Sequence, residues 1–322
     1  MAGELSPDAR MRASRAEYAR RMNRVLDYID RHLDAQLDLA QLADVANFSR
    51  FHFHRIFAAW MGETLGDYAR RRRLETAASR LARGGEPVLE IALACGFGSG
   101  EAFARAFKQQ FGCTPTEWRT GAPQRAAALL ATLHGNPDQA HSNPGQARPR
   151  PLGDHDGSLT LYGETEMDVQ VTDLPAVRVA YQRHIGPYGP RIGMFWRQTV
   201  APWMQSHGLQ SQLCYGVGHD DPSVTPSDKC RYDACVVVPD GFLPGDPASL
   251  ATLPGGRYAV ARFRGQPTAI GNAWMWLTRE WLASSGLQCD DRPSFERFDP
   301  ATCTDPETGE FSCDICIPVR AL

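Results

Sequence analysis

Residues 46–70 read ANFSRFHFHRIFAAWMGETLGDYAR, and residues 94–119 read ACGFGSGEAFARAFKQQFGCTPTEWR. The two stretches are copies of one plan. Phe53/Phe103, Arg55/Arg105, Phe57/Phe107, Gly62/Gly112 and Tyr68/Trp118 stand fifty residues apart, and Ala43/Ala92 and Phe48/Phe97 stand forty-nine apart. The second turn therefore holds one extra residue. Each copy predicts a short helix, a tight turn and a second helix. In the first, Phe53, Ile56, Phe57 and Trp60 recur at i, i+3, i+4 and i+7 and face inward. Ser49 is placed to cap that helix, and Arg50, Phe51, His54 and Arg55 take the rest of its surface. In the second, Gly96 supplies the turn, Phe103, Ala106 and Phe107 form the inner face, and Gly112 ends the helix. A helix before both copies is read from Tyr18, Met22, Val25, Leu26, Ile29 and Leu33.

Helix, turn, helix suits either a bundle hairpin or a nucleic-acid reader. The surface favours the reader. Phe51 between Arg50 and His54 fits a groove better than a bundle, and Arg50, Arg55, Arg105 and Lys108 are placed for phosphates or base edges. The connecting helix, residues 64–83, carries Arg70, Arg71, Arg72 and Arg73. It is roughly 30 Å long, close to the ~34 Å repeat of B-DNA. Two reading helices on such a rod are expected to reach successive major grooves from a single chain. Residues 1–120 hold 18 Lys+Arg against 15 Asp+Glu, and residues 121–322 hold 16 against 22. A mildly basic module joined to an acidic one agrees with this.

These signatures resemble the AraC-type DNA-binding domain of bacterial transcription regulators, over about residues 18–120. The resemblance implies that Phe51, His54 and Arg55 take the base-edge positions of the first motif, and Gly100, Glu101, Ala102 and Arg105 those of the second. Ser99 stands at the start of that second helix. Gly100 and Ala102 have no side-chain hydrogen bond to offer, and Glu101 suits only a donor such as a cytosine amino group. The first helix is thus expected to do most of the reading, with the second holding the backbone through Arg105 and Lys108. The reading domain is assigned to residues 16–121, followed by a Gly-, Pro- and Asn-rich linker over 122–160.

The remainder, 161–322, alternates strands and helices in two rounds. Strands are expected at 167–172, 178–184, 213–217, 232–238, 257–263, 294–298 and 313–318, the first two joined through residues 173–176. Helices are expected at 191–207 and 270–284. Trp196/Trp274, Trp203/Trp281, Gly208/Gly286 and Asp221/Asp299 repeat at an offset of seventy-eight. Two such halves predict one sheet, two helices and a cleft along their pseudo-twofold axis, a common ligand position. In this register Glu296 is the counterpart of Gly218, so one half carries a carboxylate where the other carries nothing. Between Phe295 and Phe298 such an acid is costly to bury without a cation. Trp196, Trp274, Trp276, Tyr188, Tyr258 and Phe263 could offer ring faces to one.

This half resembles the GyrI-like (Rob/BmrR-type) effector-binding domain, through VRVAYQRHIGPY, GGRYAVARFRG, AWMWLTREWLASSGL, RPSFERF and DICIPV. The resemblance implies that Glu296 contacts lipophilic cations, with Trp274, Tyr188, Tyr258 and Phe298 as expected companions. The fold class is therefore multidomain: an all-α tandem helix-turn-helix domain and a duplicated α+β domain with an antiparallel sheet and two main helices. The expected function is a transcription regulator, by resemblance an activator. Its expected partners are double-stranded promoter DNA, a small aromatic or cationic effector and RNA polymerase. Hydrolysis of reactive small molecules, or ligand-free interaction with other proteins, is the alternative for the second half.

Other chemistry has little support. No apolar run approaches the ~18 residues of a membrane span, and the first residues lack a signal-peptide core. A cytoplasmic location away from the membrane is expected. Nine cysteines follow no disulfide framework, so free thiols are expected. Cys313 and Cys316, three apart in a strand, face opposite sides, so neither a metal site nor a cofactor is expected.

Overall fold

The computed structural model describes residues 7–48, 50–121, 167–222, 224–245, 247–290 and 292–321; of residues 7–15, 50–52, 275, 279 and 283 it describes the backbone alone. Ser49 and the linker expected over 122–160 lie outside the described residues. Helices α1 (Pro7–Arg31), α2 (Leu39–Val45), α3 (Arg50–Met61), α4 (Leu65–Arg83), α5 (Val88–Ala94), α6 (Gly100–Phe111) and α7 (Pro115–Thr120) build the N-terminal part.

The sequence duplication returns bond for bond. Phe48 N–H donates to the Ala43 carbonyl at 2.9 Å, and Phe97 N–H to the Ala92 carbonyl at 3.0 Å. Both turns require a left-handed residue, Asn47 (φ 50°) in the first and Gly96 (φ 76°) in the second. At position 96 only glycine fits, because a Cβ there would stand 2.4 Å from the Leu33 carbonyl oxygen. Thr64 and Thr114 cap the following helices through Asp67 N–H and Glu117 N–H, both at 3.2 Å. Phe57 meets Tyr68 edge-on at 5.6 Å, and Phe107 meets Trp118 at 5.7 Å. Each copy closes its own core, and α4 contributes to both: Leu65 and Tyr68 to the first, Leu74 and Leu81 to the second. Burying each such large apolar side chain stabilises by about 1.5–3 kcal/mol. That shared burial makes α4 a common strut between the copies.

The C-terminal part is an antiparallel sheet of nine strands among the described residues. They are β1 (Val169–Leu174), β2 (Val177–Ile185), β3 (Cys214–Gly218), β4 (Arg231–Val237), β5 (Ser249–Leu253), β6 (Gly256–Gly265), β7 (Leu287–Cys289), β8 (Phe295–Phe298) and β9 (Phe311–Ala321). Their order is β1-β6-β9-β8-β3-β4-β2-β5, with β7 added on β9. Helix α8, residues 190–206, and helix α9, residues 270–284, each contain a five-residue π-helical stretch, Trp196–Val200 and Leu277–Trp281. The two halves meet where β3 pairs with β8.

Two features lie beyond what the sequence pattern states. Strands β1 and β2 form no hairpin, since β1 pairs with β6 and β2 pairs with β5, so each half lends its edge strand to the other. Strands β5 and β7 escape the sequence pattern because they are short and flanked by turn residues. Strand alternation divides the buried residues between two cores. Ala180, Val200, Trp203, Tyr232, Ala259, Phe298, Cys313 and Ile315 share the helix-covered face. Val179, Tyr181, Tyr215, Val217, Tyr258, Phe295 and Cys316 share the other. Cys313 and Cys316 thus face opposite sides, as their spacing requires.

That second face docks on α1 and α4. Arg231, 1% exposed, reaches Asp30 at 2.6 Å and Asp220 at 2.8 Å, and donates to the Tyr68 hydroxyl at 3.2 Å. Arg72 joins Asp220, Asp30 and Glu75. Arg71 bridges Glu75 and Glu63, and Lys229 closes on Glu63 at 2.8 Å. Four cations thus meet four carboxylates. Beside them Arg183 bonds Asp27 and Asp233 at 2.8 and 2.6 Å, and Tyr181 donates to Asp27 at 2.9 Å. The arginine run therefore serves the fold rather than DNA. Arg71 and Arg72 are buried in this joint, and Arg73 donates to the Leu33, Ala35 and Gly96 carbonyls. Arg70 is exposed and donates to Gln109.

Candidate DNA interface and effector site

On α3, His54 and Arg55 are exposed while Phe53 and Phe57 are buried. Arg50 and Phe51 are helical, and their side chains lie outside the described residues. On α6, Glu101, Arg105 and Lys108 are exposed and Phe103, Ala106 and Phe107 are buried. Ser99 is occupied as the helix cap, accepting from Ala102 N–H at 3.2 Å. Glu101 sits in the first turn, where hydrogen bonds from its own backbone N–H and from Ser99 hold its carboxyl below the usual range. The described interdomain hydrogen bonds and ion pairs fall on α1, on α4 and on Glu63, between α3 and α4. The docked acidic half therefore leaves the outward residues of α3 and α6 open to solvent.

The second site lies on the helix-covered face, where β8 and β3 meet. Glu296 stands opposite Gly216 in the ladder. Its carboxylate accepts from Trp274 Nε1 at 2.9 Å. Among the described residues it has no ion-pair partner. Burial pushes it up to about 6, with only the Trp274 N–H acting against that. Trp196, the repeat counterpart of Trp274, donates from Nε1 to the Tyr232 hydroxyl at 3.1 Å and meets Phe298 edge-on at 5.1 Å. Gly216 makes the arrangement possible, since a Cβ there would stand 2.0 Å from the Tyr232 hydroxyl oxygen and 3.2 Å from Glu296 Oε2. Each long helix thus sends one indole N–H into the centre of the sheet, one to a phenol and one to a carboxylate.

Tyr188 stands beside this cluster, its ring 6.4 Å from that of Tyr232. Its hydroxyl donates to the Arg231 carbonyl at 2.7 Å and accepts from Asp220 N–H at 3.2 Å. It also packs against Gly218, the repeat counterpart of Glu296. Of the acid and its four expected companions, the structure brings Glu296, Trp274, Phe298 and Tyr188 together. Tyr258 is a correction. It is fully buried on the opposite face, against Phe295 at 5.0 Å, with its hydroxyl donating to the Pro254 carbonyl at 3.1 Å. Its position on β6 has the wrong parity to reach Glu296. Sequence reasoning missed Tyr232 and Gly216, although both lie in strands it anticipated. Their adjacency depends on strand register, which no local pattern states.

Comparison with known proteins agrees with this division. Residues 167–320 match the model of the GyrI-like small molecule binding domain, and residues 42–121 match a helix-turn-helix domain model. The regulatory protein SoxS of Escherichia coli is 36% identical over 95 residues, covering 30% of this chain and 89% of that one. The transcriptional regulator Rob of Salmonella typhimurium is 26% identical over 308 residues, covering 92% of this chain and 96% of that one. A crystal structure of an AraC-type regulator from Chromobacterium violaceum aligns at 26% identity with a TM-score of 0.31, covering 32% of this chain and 93% of that chain.

Proposed function

Because the chain belongs to the AraC-type DNA-binding transcription regulators that carry a GyrI-like domain, we propose that its second half senses a lipophilic cation and reports it to the DNA-binding half. The observation that carries this is Glu296, a carboxylate held among Trp274, Trp196, Tyr232 and Phe298 with no cation beside it among the described residues. A cation bearing an apolar or aromatic body would relieve that desolvation and meet π-faces on entry. On the DNA side, Arg55 and His54 of α3 read base edges, and Arg105 and Lys108 of α6 hold phosphates.

Strand β4 connects the two halves of this reading. Tyr232 faces the effector cluster, while its neighbours Arg231 and Asp233 face the joint with α1 and α4. A ligand that moves Tyr232 or Tyr188 acts on the backbone that carries Arg231 and Asp220. Regulation follows if the ligand binds the docked and undocked arrangements with unequal affinity. The output is then a change in DNA affinity or in contact with RNA polymerase.

Linkage supplies the test. Tetraphenylphosphonium at saturation is expected to shift the DNA affinity of the full chain by about 5- to 150-fold, with the same factor appearing in its own affinity when DNA is bound. Fluorescence anisotropy of a labelled operator measures the first and calorimetry the second. Tight cation binding with no shift in DNA affinity contradicts the sensing role. Turnover of an electrophile that Glu296→Gln abolishes would replace sensing by hydrolysis.

A further inference from the structure

One ladder row crosses four strands from the acid to a buried amide. Glu296 on β8 stands opposite Gly216 on β3, Gly216 opposite Ala234 on β4, and Ala234 opposite Gln182 on β2. All four face the helices, because Ala180, Ala234 and Tyr232 belong to that core. Gln182 is 4% exposed, and neither its Nε2 nor its Oε1 has a hydrogen-bond partner. An amide buried in this way is costly, and native structures rarely leave both ends unpaired. The two residues between the acid and the amide are glycine and alanine, the smallest side chains available. Three strand spacings separate the ends, roughly 14 Å. In the neighbouring row Tyr232 lies between Gly218 and His184, and His184 Nε2 is likewise buried without a partner.

We propose that Gln182 is a polar subsite of the effector site, reached when the Tyr232 side chain moves aside, so that the effector pairs its cation with Glu296 and places a neutral hydrogen-bonding group, an amide or carbonyl, on Gln182 about 14 Å away. This rests on the reading of Glu296 as the cation site and adds a length and a second functional group to it. Gly216 and Ala234 then form the floor along which an apolar body runs. Tyr232, whose hydroxyl lies over Gly216, is the side chain such a ligand displaces. The amide supplies both a donor and an acceptor, so it discriminates by hydrogen bonding rather than by charge. The two poles of the duplicated domain thereby differ in chemistry, charge at one and a neutral amide at the other.

Two probes of matched length test this on the full chain by calorimetry. Undecyltrimethylammonium carries the cation alone. 11-(Trimethylammonio)undecanamide adds a terminal carboxamide at about the required distance. Wild type is expected to bind the carboxamide at least about tenfold more tightly, the discrimination of a site built to hydrogen-bond its ligand. Gln182→Leu is expected to bind both probes alike and to raise Tm by about 2–4 °C, because an unpaired buried amide is gone. Gln182→Asn, with a shorter reach, is expected to prefer the carboxamide one methylene longer. Equal affinity of the two probes for wild type overturns the subsite and leaves Glu296 standing. A carboxamide preference that survives Gln182→Leu also overturns it. Failure of wild type to bind either probe overturns the subsite and the cation site together.

Discussion

Asp220→Ala is expected to destabilise the full chain by about 3–5 kcal/mol, the typical cost of removing one partner from a buried ion pair. The Asp220 side chain is fully buried and accepts from Arg231 Nε and Nη2, from Arg231 N–H and from Arg72. Truncation leaves two desolvated guanidinium groups sharing Asp30, Glu75 and little else. The loss also frees the joint, so hydrogen exchange at Asp30 and along residues 68–75 of α4 should accelerate in step. Urea denaturation measures the stability. A change below about 1 kcal/mol, the range of an exposed pair, would mean that the joint is open in solution. Acid should act in the same direction. Burial opposes ionisation of Asp30, Asp220 and Asp233, but their arginine partners outweigh it and hold all three carboxyls below the usual range. Depressed carboxyls contribute stability above about pH 4 that is lost as pH falls through their folded values.

Glu296→Gln is expected to behave in the opposite sense. Its carboxyl is raised to about 6 from an ordinary value of 4.5. A raised carboxyl contributes stability that is complete below pH 4.5 and lost as pH climbs through 6. At pH 7.5 the free wild type therefore carries a penalty of about 2 kcal/mol, which the glutamine variant should not. The same substitution should weaken a lipophilic cation such as tetraphenylphosphonium by about 30-fold or more, since the charge that receives it is removed. Wild-type cation affinity should itself fall about tenfold for each pH unit below 6. Thermal melts and calorimetry across pH 5–8 read both effects. A variant that is less stable at pH 7.5, or that keeps wild-type cation affinity, removes Glu296 from the site. The trade of stability for binding is what a ligand-ready acid should display.

The helix-turn-helix pair was legible because its information is local. A fifty-residue repeat of Phe, Gly and aromatic positions fixes helix faces and turns without knowledge of the rest of the chain. The one-residue difference in the second turn was also visible: it falls at Gly98, after Phe97, while the left-handed residues Asn47 and Gly96 keep the same place in the two turns. The role of the arginine run was not legible, for a physical reason. Four consecutive arginines look like a phosphate clamp, yet on a helix they point in four directions: Arg72 meets the Asp220 carboxylate, 148 residues further along the chain, and Arg71 meets Glu63 and Glu75 nearby. The counterpart signal was present in Arg231-Tyr232-Asp233, a strand whose alternate positions are charged on one side and aromatic on the other. Glu296 stood out through the internal repeat. Tyr258 could not be placed, because whether two strands share a face depends on register, and Gln182 was hidden in a strand that otherwise reads as ordinary.

The most direct test of the account concerns which helix selects the sequence. Operator fragments are recovered from a random library with the full chain and titrated against a scrambled duplex by anisotropy across salt. Arg55→Ala should cost about 1–3 kcal/mol on the selected sequence and leave binding to the scrambled duplex unchanged within a factor of about two. Arg105→Ala with Lys108→Ala should weaken both duplexes alike and flatten the salt dependence by up to two phosphate contacts, roughly 1.8 in the logarithmic slope. The reverse pattern, selection lost with the α6 pair and kept without Arg55, would contradict the assignment of reading to α3.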